Sequence, residues 1–226
     1  MRLKQIIIHF LLLTSIISYS QLKDEKEGYY LEDQIYAKFT YNILSKLPKT
    51  IKQSGFSNSF SIGFIKDIPI NKERNFGFGV GLGYGLNTYF HNLKIFKSNG
   101  NTVFENFQID ENYKSNKLIT HTIEIPLEIR WRTSTREKYK FWRIYGGIKT
   151  NYIFISKAKY KLDGTQKLMN LKEIKKLQYG LSLATGYGNI NFYIYYALTP
   201  VFKNAYYNGT KIETKDIKIG IQFYIL

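Results

Sequence analysis

Asn75-Phe76-Gly77-Phe78-Gly79-Val80-Gly81-Leu82-Gly83-Tyr84-Gly85-Leu86 is the stretch that decides the fold class. Glycine takes every second position from 77 to 85, and a bulky apolar residue takes each position between. A helix would lose about 1 kcal/mol at each interior glycine. A strand, whose side chains alternate between faces, sorts the two classes cleanly: one apolar face and one of nearly bare backbone. A bare face makes a poor solvent-exposed strand but suits the crowded inside of a narrow barrel.

The same period of two recurs along the chain. Ile123, Ile125, Leu127, Ile129 and Trp131 alternate with Glu124, Pro126, Glu128, Arg130 and Arg132. Trp142, Ile144, Ile148 and Tyr152 alternate with Arg143, Tyr145, Lys149 and Asn151. Residues 177–187 and 190–198 form two alternating runs separated by the turn dipeptide Gly188-Asn189, and so read as a hairpin. Ile217, Ile219, Ile221, Phe223 and Ile225 close the chain against Lys218, Gly220, Gln222 and Tyr224. With weaker runs at Gln34–Leu44 and Asn58–Ile65, this predicts an all-β fold, an eight-stranded antiparallel barrel. Leu168–Leu177 reads as a short helix within a loop.

Residues 1–20 have the form of a cleaved signal peptide. Arg2 and Lys4 precede the apolar run from Ile6 to Leu13, and Ser18 and Ser20 supply the small residues before Gln21. The run is too short to span about 30 Å of hydrocarbon. The expected organisation is therefore a leader, 1–20, and one barrel domain, 21–226.

Periodicity alone leaves open which face looks inward. The secretory leader, the glycine face and the aromatic ends of the apolar runs favour a transmembrane barrel of the outer-membrane type, with Leu127, Ile129, Trp131, Trp142, Ile219, Ile221 and Phe223 facing lipid. The polar faces then share the interior, where Glu124, Glu128, Arg130, Arg132, Arg143, Lys149 and Lys218 would form a charge network. Two readings of that network stand: a structural plug of ion pairs, or a path for an ion or ligand. Connections alternate between long (about 45–57, 91–118, 156–176, 200–215) and short (about 66–74, 133–140, 188–189). Outer-membrane barrels show this pattern, with the long loops outside the cell and the short turns in the periplasm.

The whole chain has a formal charge of +16, and 17% of it is aromatic, with 20 Tyr and 16 Phe. Such rings suit membrane-interface girdles. Lys157, Lys159, Lys161, Lys167, Lys172, Lys175 and Lys176 make the 156–176 segment strongly basic. With Tyr160 as its one stacking residue, it fits an exposed surface for anionic lipopolysaccharide or an acidic partner better than a nucleic-acid interface. Cysteine is absent, and the three histidines, His9, His91 and His121, are far apart, so no metal, cofactor or catalytic constellation is expected. The reading is of a non-enzyme in the outer membrane of a Gram-negative bacterium.

Several stretches also resemble a known family. These are Gly63-Phe64-Ile65-Lys66-Asp67-Ile68-Pro69-Ile70-Asn71-Lys72, Arg130-Trp131-Arg132-Thr133-Ser134-Thr135, Lys140-Phe141-Trp142-Arg143-Ile144-Tyr145 and the terminal Phe223-Tyr224-Ile225-Leu226. Together they resemble the PorT (SprT) proteins of Bacteroidetes, and Glu124-Ile125-Pro126-Leu127 is similar to a strand signature of the broader porin-like barrels of that phylum. The closer resemblance implies an accessory role in type IX protein secretion and gliding, exercised through contacts with other secretion-system proteins. A general outer-membrane barrel for surface ligands or envelope integrity, and a soluble periplasmic lipocalin-like carrier, are the alternatives.

Overall fold

A computed structural model describes residues 33–107, 113–133, 141–162 and 164–225. The expected leader and most of the 133–140 connection lie outside the described residues. Regular structure within them is strand: β1 (Gln34–Ser45), β2 (Asn58–Pro69), β3 (Phe76–Phe90), β4 (Leu93–Ser98), β5 (Asn101–Asn106), β6 (Ser115–Arg132), β7 (Trp142–Lys161), β8 (Thr165–Met169), β9 (Leu177–Tyr187), β10 (Ile190–Ala197), β11 (Tyr206–Tyr207), β12 (Thr210–Lys211) and β13 (Lys215–Ile225).

Eight of these close a barrel in the order β1, β2, β3, β6, β7, β9, β10, β13, with β13 returning to β1 from Ile35–Ile225 to Ser45–Lys215. All neighbouring pairs are antiparallel. The polarity of the wall is the reverse of a soluble barrel's. Leu127, Ile129, Trp131, Trp142, Ile221 and Phe223 are exposed on the outside, with Ile219 on the same face, while Glu124, Arg130, Arg132, Arg143 and Lys149 are buried inside. A lipocalin-like carrier needs an apolar interior, so that reading is set aside.

The glycine face of β3 gives the interior its room. A Cβ on Gly79 would stand 2.6 Å from Arg130 Nε, and one on Gly83 would overlap the Tyr36 hydroxyl. Side chains reaching across from β6 and β1 fill the space that the glycines leave.

Toward the end of the barrel opposite Gln34 and Ile225, the interior changes character. Leu118 of β6, Ile153 and Ala158 of β7, the hairpin residues Leu93, Ile95 and Phe104, and Leu171, Ile174, Val201, Phe202, Ala205 and Ile212 form a buried apolar cluster. The β4–β5 and β11–β12 hairpins belong to this cap. Several expected loops are therefore strand: β6 begins at Ser115, β7 runs to Lys161, and β8 continues the sheet beyond it. Their outward lysines had made them look like loop. The expected helix at 168–177 does not form. Leu171 and Ile174 are three residues apart and both face the cap core, but a single turn (Ile174 N to Leu171 O, 3.4 Å) and a bridge from Ile174 to Phe202 achieve this.

Candidate functional site

The polar interior is built in tiers. In the middle, Glu124 of β6 is fully buried and accepts hydrogen bonds from Lys38 Nζ of β1 (2.9 Å), Lys149 Nζ of β7 (3.1 Å), Ser61 Oγ of β2 (3.1 Å) and the Tyr36 hydroxyl (3.4 Å). One carboxylate thus ties four strands across the lumen. Nearer the start of β1, Arg130 donates to Asp67 Oδ1 (3.0 Å), Glu128 Oε2 (3.1 Å) and Gln34 Oε1 (3.0 Å), and Arg132 donates to Asp67 Oδ2 (2.7 Å). Toward the cap, Lys218 lies 3.4 Å from Asp216 and donates to Asn87, while the Tyr89 hydroxyl donates to Asp216 (2.8 Å).

Of the seven charged residues expected inside, the structure brings six into ion pairs: Glu124 with Lys149, Glu128 with Arg130, and Arg132 and Lys218 with acids not foreseen. Arg143 differs. It is buried in the lumen, but its guanidinium stacks over the rings of Phe141 (4.5 Å), Tyr224 (5.2 Å) and Tyr145 (5.8 Å) and makes no ion pair among the described residues. Of the expected network, it therefore joins the interior as a cation held by aromatic rings rather than by a carboxylate. Its place on β7 faces an aromatic tier of Phe141, Tyr145 and Tyr224.

Sequence reasoning missed Asp67, Lys38 and Asp216. Asp67 sits in Ile65-Lys66-Asp67-Ile68-Pro69, which reads as a turn, yet β2 continues through it in register with Gly79 of β3. Among the described residues, six buried cations of the wall (Lys38, Arg130, Arg132, Arg143, Lys149, Lys218) face four buried acids (Asp67, Glu124, Glu128, Asp216). The cavity among Asn87, Thr120, Asn151 and Lys218 has a volume of about 10 Å³, roughly the room of one water molecule. Ion pairs below and the apolar cap above crowd this part of the lumen.

The cap holds one titratable group of note. His91 is buried, with Nδ1 3.4 Å from Asn116 Nδ2 and Nε2 unpartnered, and burial lowers its pKa from 6.5 to about 4. The unfolded cap takes up the proton near pH 6.5 and the folded cap only near pH 4. The stability is therefore complete above pH 6.5 and falls as pH drops toward 4. At pH 4.5 the expected loss is about 2–3 kcal/mol. It would be read as faster amide exchange around Leu93 after correction for the intrinsic rate, and His91→Gln should remove the pH dependence. Equal protection at pH 7 and 4.5 would refute it.

Among the described residues no group of three His, Asp or Glu could hold a metal ion, and no helix is long and apolar enough to cross a membrane. A family model, the outer membrane protein beta-barrel domain, matches residues 19–203. No curated protein matches. Among solved structures, the crystal structure of Ail, the attachment invasion locus protein of Yersinia pestis, is similar at 10% identity over 85% of this chain and 97% of that one, with a TM-score of 0.36. A chain described under the asymmetric conductivity of engineered proteins is similar at 7% identity over 87% and 100%, with a TM-score of 0.23.

Proposed function

This chain belongs to the outer membrane protein beta-barrel domain family, and from that premise we propose that it is a sealed, non-catalytic barrel that works by protein contacts at its two ends, as an accessory component of type IX secretion. The observation that carries the first part is the filled lumen: Glu124 is bridged to Lys38 and Lys149, Asp67 to Arg130 and Arg132, and the apolar cap lies above them. Such an interior passes neither a folded cargo nor a steady ion current. The secretion role rests on the stretches around 63–72, 130–145 and 223–226 that resemble the PorT proteins.

Two measurements test the two parts separately. The purified barrel in a planar bilayer should show no steady conductance, and a stable open level would overturn the sealed reading. Deleting the gene should abolish export of type IX cargo. Intact export would overturn the secretion role and leave the reading as a surface-ligand or envelope barrel, which the large hairpin cap also suits.

Outer-membrane barrels carry short turns in the periplasm and longer loops outside. The cap, with β4–β5, β8 and β11–β12, is therefore expected outside the cell, and the turn at 70–75 in the periplasm. Single cysteines at Lys97 and Lys211 should react with an impermeant reagent on intact cells, and one at Lys72 should not. The opposite labelling would reverse the orientation.

A further inference from the structure

Just beyond the apolar belt, the outer face of β6, β7 and β8 carries lysines in direct register. Lys117 of β6 stands opposite Lys159 of β7, which stands opposite Lys167 of β8. Facing side chains on adjacent strands lie about 5 Å apart, and like charges placed so are destabilising. None of the three makes an ion pair among the described residues, although Lys117 lies 5.5 Å over the Phe90 ring. One row toward the belt, Lys157 stands between Ile119 and Met169, and further down Ile123 stands opposite Tyr152. The cationic row thus sits where the apolar wall ends.

Beside it the wall is notched. β8 stops at Met169 and β9 starts at Leu177, so β7 residues 153–156 border a groove of about 200 Å³. Phe154, over the buried Ile153, Leu171 and Ile174 of the cap core, gives it an apolar side, and Ser156, Asn170, Lys172 and Lys176 line it as well. Both lysines are exposed and neither is ion-paired among the described residues. Glu173, between them in sequence, pairs with neither.

We propose that this face binds the phosphorylated headgroup of an outer-leaflet glycolipid, its phosphates on Lys117, Lys159 and Lys167 and an acyl chain along the groove. Three facts select that occupant. The unpaired cations attract multivalent anions, the row lies at the height where headgroup phosphates meet the hydrocarbon, and the adjoining groove has an apolar side at Phe154 with cationic residues beside it. An acidic protein would satisfy the first but has no use for the groove at the membrane boundary. The site stands on the outer-membrane placement and is independent of any role in secretion.

The full barrel, refolded in an uncharged detergent, is tested with bis-phosphorylated lipid A, with dephosphorylated lipid A and with inorganic pyrophosphate. Lipid A should bind, and the Lys117→Gln/Lys159→Gln/Lys167→Gln variant should bind it at least about tenfold more weakly, given the attraction each lysine contributes near an anionic surface. The corresponding triple Lys→Arg variant should retain binding, which separates loss of charge from loss of fold. Without lipid, the Gln variant should melt no lower than the parent, since repulsion is relieved. With lipid A the order should reverse. Unchanged binding by the Gln variant, or equal binding of dephosphorylated lipid A, would overturn the proposal. Binding of pyrophosphate as tight as lipid A would make the row a free-anion site and overturn the lipid assignment.

Discussion

Glu124→Gln is expected to destabilise the barrel by about 3–5 kcal/mol, the cost of leaving buried charges without their counter-ion. The carboxylate is fully buried and holds both Lys38 and Lys149, at 2.9 and 3.1 Å. An amide keeps the shape and the bonds to Ser61 and Tyr36, but it strands two ammonium groups in a lumen with little room for water. Adding Lys38→Met and Lys149→Met should restore part of the loss, because coupled groups are not additive whereas independent solvated charges are. Urea-driven unfolding of the parent, the single and the triple variants in one lipid would measure this. A near-zero effect for Glu124→Gln, with no coupling to the lysines, would mean the lumen is wet, and the ion-path reading of the interior would then replace the sealed one.

The network also shows where sequence reasoning stops. Glu124, Glu128, Arg130 and Arg132 were legible because β6 alternates strictly over ten residues, so each charge announces its face. Asp67 was hidden because its neighbours Lys66 and Pro69 mimic a turn, whereas pairing with β3 and a hydrogen bond from Asp67 N to Asp33 Oδ1 hold that segment extended. Lys38 was hidden because β1 mixes Tyr36, Lys38, Thr40 and Asn42 on its inner face, which reads as a weak run. Arg143 carried the right period, but its period gave no sign that its neighbours would be aromatic rings. Alternation fixes which face a side chain takes, whereas its partner depends on the stagger between strands, which no single strand records. The cap was lost for a related reason. In β6 and β7 the inner face turns from polar to apolar near Leu118, Ile153 and Ala158 while the outer face turns cationic, so the pattern inverts midway along a continuous strand.

That inversion gives the outer surface a depth profile, and Leu127→Arg probes its centre. Leu127 is exposed on the outer face, in register with Val80 on one side and Ile148 on the other. Four residues one way along β6 lies Trp131, and four the other way Ile123 opposite Tyr152, so aromatic residues bracket it as interface girdles do. An arginine at the midplane of a barrel's lipid face costs about 2–4 kcal/mol, and near the interface about 0–1 kcal/mol. Ile119→Arg, beside Lys157 and next to the cationic row, therefore serves as the paired control. The expected result is a loss of about 2–4 kcal/mol at 127 and a clearly smaller one at 119, where the arginine meets only the like charge of Lys157, measured by reversible folding into bilayers of matched thickness. Equal, small losses at both positions would mean that Leu127 does not lie at mid-depth, and the belt would have to be redrawn toward one end of β6. A larger loss at 119 would place the hydrocarbon around the lysines instead, which would also remove the ground for a headgroup site there.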